Sequence, residues 1–303
     1  MRYGSPGSGS VSVREVGAVP TGEEALARAV EVLGRSRIGD PRREALRLWS
    51  AIANTTVGAV WLRQQSPADP ARLDRFREAV ERRVGGMPFA YAVGRAAFRR
   101  LDLVADGRAL IPRPETEGLV ALVLQWAGKA PGGTAADVGT GSGCIALSLA
   151  VEGHFDRVIA TERSAQALGL ARENLERVQP PVPVDLRRGH WLEPLGGERC
   201  RVIVANPPYL RDDEWAALEP GVRDFEPREA LTSGPDGMTA TRTLLRQAGG
   251  ALVPGGLLAL EIDERRATAV AALARDVGWR HVAIHHDLFG RPRYVLAVVR
   301  EDS

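Results

Sequence analysis

Ala135-Ala136-Asp137-Val138-Gly139-Thr140-Gly141-Ser142-Gly143 opens on small and apolar residues and closes with a glycine at every second position. The first half reads as a buried strand, the second as a turn feeding a helix that begins near Cys144 and Ile145. Glycine has no Cβ, so at a strand-to-helix turn it permits positive φ and close approach of a ligand to the backbone. Downstream, Arg157 to Thr161 reads as a second strand that ends in Glu162, nineteen residues after Gly143. An acidic residue about twenty positions on, at the tip of the second strand, is where nucleotide-binding α/β sheets hold a ribose diol. The stretch therefore predicts an α/β domain with its ligand at the carboxyl ends of the strands.

The glycine spacing is GxGxG preceded by Asp137, not GxGxxG. That favours S-adenosylmethionine over a nicotinamide dinucleotide, whose pyrophosphate needs a cradle. Gly139, Thr140, Gly141, Ser142, Gly143 and Glu162 are the candidate donor-site residues. Ser164 is placed to cap a helix over 165–178, and Val182 to Leu186 reads as a third strand leading to Arg188-Gly189-His190-Trp191. Trp191 is expected to stack on adenine and His190 to hydrogen-bond it, although each also reads as a packed or structural loop residue.

A second stretch, Val202-Ile203-Val204-Ala205-Asn206-Pro207-Pro208-Tyr209, is a strand whose β-branched residues run consecutively, as in a strand buried on both faces. It ends at the prolines, which have no N–H for a ladder, and Pro207 holds Asn206 away from the α region. The Asn206 amide and the Pro207 carbonyl then stand at a strand end as acceptors. Their fitting chemistry is methylation of a planar –NH2 group. Asn206 Oδ1 and the Pro207 carbonyl each take one N–H, the third direction of the nitrogen faces the methyl, and the Tyr209 ring covers the flat group. The same four residues also read as a proline-rich strand exit with a capping Asn.

Over 303 residues, 40 Lys and Arg stand against 38 Asp and Glu, a formal net charge of +2 that gives no electrostatic case for a nucleic-acid partner. Cys144 and Cys200 lie in apolar segments without CxxC spacing, and no cluster with metal-ligand spacing is present, so no metal is expected. No apolar run reaches membrane-spanning length and no signal peptide is evident, so a cytoplasmic protein, without membrane contact, is expected.

Residues 1–20, rich in Gly and Ser, read as a disordered leader. Residues 21–85 read as a helical substrate-recognition domain, with Thr21 as a cap and helices over 25–33, 43–52, 57–64 and 72–84. Residues 86–114 read as a β-hairpin linker, and 115–303 as the catalytic domain. Thr116 and its acidic neighbours are expected to open a helix running to Trp126. Arg113 either makes a surface ion pair or shapes the donor pocket. Residues 212–235 read as a charged loop after the strand end that either carries substrate contacts or is fixed by a local Glu226–Arg228 ion pair. A helix is expected over 239–251, a strand over 256–262, a helix over 264–277, and a final hairpin over 281–299 whose last strand is antiparallel.

Taken together, Gly86-Met87-Pro88 with Tyr91 and Gly94, LIPRPETE from Leu110 to Glu117, DVGTGSG from Asp137 to Gly143, NPPY from Asn206 to Tyr209, FEPREAL from Phe225 to Leu231, and Asp287-Leu288-Phe289-Gly290-Arg291 make a pattern. The chain resembles the HemK/PrmC-type N5-glutamine methyltransferases of peptide chain release factors, over residues 22 to 300. The resemblance implies a class I S-adenosylmethionine-dependent methyltransferase, Rossmann-like, with a mostly parallel seven-stranded sheet, an antiparallel last strand and a small N-terminal helical domain. It implies methyl transfer to the glutamine of the GGQ loop of class-1 release factors; a monomer without direct nucleic-acid contact is expected beside it. It places Asn206, Pro207, Pro208 and Tyr209 around the glutamine, Phe98 near it, and Asn206 also beside the donor. Glu162 and His190 stand where that family more often has Asp. Methylation of a ribosomal protein, methylation of a nucleic-acid exocyclic amine, and a non-catalytic donor-binding module are the alternatives.

Overall fold

The computed structural model describes residues 20–299 except 37, 64, 66 and 129, and only the backbone of Arg63. The expected leader lies outside the described residues apart from Pro20. The chain divides into two compact units between Gly85 and Gly86.

The first unit holds α1 (Gly22–Gly34), α2 (Pro41–Ala53), α3 (Val57–Arg63) and α4 (Pro70–Val84). Thr21 closes a capping box with Glu24, and Asp40 and Asp69 cap α2 and α4 ahead of a proline in the first turn of each. Leu33, Leu48 and Phe76 are buried between these helices, and Trp49 packs edge-on against Phe76 at 4.7 Å. Glu44, itself buried, is neutralised by Arg83 at 2.6 Å.

The second unit begins with α5 (Phe89–Val93), a short helix within the expected linker, and the antiparallel pair β1 (Arg95–Phe98) and β2 (Leu101–Val104). After α6 (Pro114–Ala127) come β3 (Thr134–Val138), α7 (Cys144–Glu152), β4 (Arg157–Glu162), α8 (Ala165–Val178), β5 (Val184–Arg188) and β6 (Cys200–Ala205). Then follow α9 (Pro220–Arg223), α10 (Thr239–Gln247), β7 (Leu252–Glu261), α11 (Ala267–Asp276), β8 (Arg280–His286) and β9 (Pro292–Val298). The sheet order is β5-β4-β3-β6-β7-β9-β8, parallel except for β9, which runs against both of its neighbours. This is the mostly parallel seven-stranded architecture anticipated from the motifs.

Several boundaries differ for local reasons. β5 starts two residues later than expected because Pro183 cannot donate to the ladder. The helix expected to reach 251 ends at Gln247 and relaxes into a 3-10 turn through Gly249 and Gly250. Asp263 caps a 3-10 turn over Glu264–Arg266 before α11 begins. At its centre the sheet is apolar on both faces, with Val202, Ile203, Val204 and Ala205 all without exposure. Among the described residues no helix is long and apolar enough to cross a membrane.

Candidate active site

β3 pairs directly with β6, Ala135 opposite Val202 and Asp137 opposite Val204. The turns that follow the two strands, Gly139–Gly143 and Asn206–Tyr209, are therefore neighbours although far apart in sequence. They open on one cavity of about 710 Å3 at the carboxyl edge of the sheet. Gly139, Thr140, Gly141, Ser142, Glu162, His190, Trp191, Asn206, Pro207 and Pro208 all line it. Gly143 does not; with φ of 85° it stands as the first residue of the turn into α7.

The glycine turn is held from three directions. The Thr161 carbonyl accepts from Gly139 and Thr140 N–H at 2.9 and 3.0 Å. Glu162 Oε2 accepts from Gly141 N–H at 3.0 Å, while its Oε1 accepts from Ser164 N–H at 2.8 Å. Gly139 and Gly141 have φ of 78° and 55°, a region that side chains with a Cβ adopt only under strain. A Cβ on Gly139 would stand 3.9 Å from the Trp191 ring, so the indole lies across the turn. Trp191 has φ of 50°, and its carbonyl accepts from Thr161 Oγ1 at 2.8 Å. His190 meets it edge-on at 5.2 Å and is exposed.

Beneath the turn, Asp137 is fully buried, and its Oδ2 accepts from Thr140 Oγ1 at 2.5 Å and from Ala146 N–H at 3.0 Å. The second bond satisfies a free donor of the first turn of α7. Oδ1 has no partner. Burial pushes this carboxyl up to about 7, against the two hydrogen bonds that favour its charged form. Between its ordinary value of 3.8 and about 7, the folded protein holds a proton that the unfolded chain has lost. Its contribution to stability is thus complete below the lower value and lost as pH rises through the upper one. The melting temperature of Asp137→Asn is expected to gain on that of the unaltered protein as pH is raised from about 5 to about 8. Parallel melting curves across that range would contradict this account of Asp137.

The second turn is anchored by the FEPREAL segment. The Leu231 carbonyl accepts from both Tyr209 and Leu210 N–H, at 3.1 and 2.9 Å, and Leu210 bridges to Thr232. Residues of the loop from Pro227 to Gly234, and Thr239, Ala240 and Thr243 of α10, complete the cavity wall. The loop after the strand end is thus part of the cavity wall, whereas the contribution of α10 carries no signal in the sequence.

Glu226 does not form the expected pair with Arg228. It is 5% exposed and accepts from Arg113 Nη2 at 2.6 Å, 113 residues away, and from Ile111 N–H at 3.3 Å. A buried carboxylate needs several donors at once, and the LIPRPETE segment offers them. Arg228 instead lies over the Trp215 ring. Arg113 consequently belongs to the cavity wall. Thr116 does not cap α6, which opens at Pro114 without a side-chain cap. Thr116 lies inside the first turn and points to the strand ends, donating to Glu261 Oε2 at 2.7 Å and accepting from Asn206 Nδ2 at 3.0 Å.

Two expected site residues fall elsewhere. Phe98 is fully buried at the end of β1, in the core cluster that holds Leu119, Val120 and Leu147, and lines neither of these two cavities. Tyr209 does not line the large cavity but a smaller one of about 200 Å3, with Arg113, Glu115, Glu261 and Arg293. Arg113 lines both cavities. Among the described residues no three His, Cys, Asp or Glu side chains gather to hold a metal ion.

The fit to an adenosyl sulfonium rests on this geometry. The cavity lies within the roughly 300–1,000 Å3 of small-molecule sites. It presents a turn in which Gly139 and Gly141 carry no side chain, a carboxylate with unused lone pairs at a strand tip, and an indole over Gly139.

Family models match two stretches of the chain. A PrmC N-terminal domain model matches residues 24–94, and a methyltransferase small domain model matches residues 119–218. A release factor glutamine methyltransferase of Moorella thermoacetica is 41% identical over 280 residues, 92% of this chain and 99% of that protein. Proteins of the same description from Cereibacter sphaeroides and Deinococcus radiodurans are 38% and 37% identical, each over 90% of this chain and covering 97% and 96% of their own length.

Proposed function

The chain belongs to the release factor glutamine methyltransferase family, and from that premise we propose which of its residues carry the reaction. It is an S-adenosylmethionine-dependent enzyme that methylates the side-chain amide of a release-factor glutamine. The observation that carries the assignment of roles is the meeting of Gly139–Ser142 and Asn206–Pro208 in one cavity. S-adenosylmethionine supplies, when bound, an electrophilic methyl carbon on a positively charged sulfur.

Glu162 receives the ribose hydroxyls with the lone pairs that Gly141 and Ser164 leave unused, and Trp191, with His190 beside it, receives the adenine. Asn206 Oδ1 and the Pro207 carbonyl each accept one N–H of the glutamine amide. An amide nitrogen is a poor nucleophile because its lone pair is delocalised, so holding both N–H bonds while the third direction faces the cavity is the main task. Positioning supplies most of the rate. No strong base is needed, since the nitrogen loses its proton readily once methylated. Tyr209 lines the smaller cavity, which shares Arg113 with the large one, and its ring covers the carboxamide only on turning from there toward Asn206 and Pro207.

The acceptor is the GGQ-loop glutamine of class-1 release factors, bound by a monomer in the cytoplasm with no direct nucleic-acid contact and no metal. The helical unit over 21–85 selects the protein substrate, and 86–114 joins it to the catalytic unit. A transfer assay with radiolabelled donor, offering release factor, ribosomal protein and DNA side by side, is expected to label the release factor alone, on glutamine. Label on DNA would replace this reading with the nucleic-acid one, for which an exocyclic amine presents the same geometry.

A further inference from the structure

An Asn side chain has two ends, one accepting and one donating, and only the accepting end suits a substrate N–H. What decides which end of Asn206 faces the cavity is a chain of hydrogen bonds running away from it. Glu261 closes β7 at 1% exposure, and β7 pairs with β6 so that Ala205 is opposite Leu260, which brings Glu261 beside Asn206. Thr116, 2% exposed, stands between them on α6.

The polarity follows from the donor inventory. An ionised carboxylate only accepts, so the Thr116 hydroxyl must spend its one proton on Glu261 Oε2, at 2.7 Å. Thr116 Oγ1 then has only lone pairs left. Asn206 must turn Nδ2 toward it, at 3.0 Å, and Oδ1 remains for the cavity. The reverse orientation would oppose Asn206 Oδ1 to a hydroxyl oxygen without a proton, and would present donors to a substrate that also donates.

Resting on the role given above to Asn206, we infer that Thr116 and Glu261 are positioning residues for methyl transfer, fixing the Asn206 amide with its oxygen toward the acceptor nitrogen. Neither touches the reacting atoms. The three residues come from the start of α6, the turn after β6 and the end of β7, and nothing in their sequence spacing links them.

The test uses the full chain with release factor as acceptor, at about pH 8, above the value of about 7 to which burial raises Glu261. Thr116→Val keeps the shape and removes the hydroxyl. Loss of one orienting hydrogen bond is expected to lower kcat by about tenfold. The donor Kd by calorimetry is expected to stay within about threefold, and Thr116→Ser to recover most of the rate. In an Asn206→Ala background Thr116→Val is expected to cost nothing further, because residues that act through one another are not additive. Thr116→Ala gives the same readings should the Val variant fail to fold.

Turnover near normal without the hydroxyl overturns the inference, as does an equal loss from Thr116→Val in the Asn206→Ala background, which would mark general support of the site. Normal turnover in Asn206→Ala alone would instead remove the underlying role of Asn206. The two failures are thereby told apart.

Discussion

Asn206→Ala is expected to lower kcat by about 10² or more, the cost of removing one preorganised group from a transition state. The truncation is local. The turn keeps its course because Tyr209 and Leu210 N–H remain on the Leu231 carbonyl, and Pro207 and Pro208 still set the backbone. Thr116 loses one donor but keeps its bond to Glu261. The donor-side residues Glu162 and Trp191 stand on other strand ends, so the donor Kd is expected to change by less than about threefold while kcat falls. Single-turnover transfer to release factor and donor calorimetry separate the two quantities. Turnover within a few-fold of normal would mean that the Pro207 carbonyl or another group holds the amide, and the assignment of Asn206 would fail.

Glu162→Ala is expected to act on the other half of the reaction, raising the donor Kd by about 10- to 10²-fold. That range follows from losing hydrogen bonds to a charged group, at about 1.5–3 kcal/mol for each. The carboxylate does two things at once. It braces the turn through Gly141 and Ser164, at 3.0 and 2.8 Å, and it keeps a lone pair on each oxygen for a diol. The added methylene of Glu over Asp lets it curl back to Gly141. With saturating donor, kcat is expected to recover much of its normal value, in contrast to Asn206→Ala. A donor Kd within about threefold of normal would remove the ribose role from Glu162.

The features legible in the sequence are those whose cause is local. Ser164 caps α8 where a serine before an apolar-periodic run should, the glycines mark the turn after β3, and consecutive β-branched residues mark β6 as a central strand. What the sequence concealed depends on partners brought together only by folding. Glu226 was paired with a charge two residues away, yet its partner Arg113 lies across the fold, because a buried carboxylate is stabilised by the donors that surround it and not by sequence neighbours. Thr116 carried a capping signature, and no periodicity could announce that its hydroxyl would lie between Asn206 and Glu261. The resemblance puts Phe98 near the substrate, whereas its ring lies in the core cluster with Leu119, Val120 and Leu147. The short helix α5 was missed inside a glycine- and aromatic-rich stretch, where five residues are too few for a period to show.

The direct pairing of β3 with β6 has one more consequence. Adjacent strands are separated by about 4.8 Å, a spacing dictated by the backbone. The gap that the methyl must cross is in this way referenced to a fixed molecular ruler and not to the swing of a loop. A bulge introduced into either strand, far from any reacting atom, would misalign the two partners of the reaction while leaving each binding surface whole, and the enzyme would then grip both molecules and join neither.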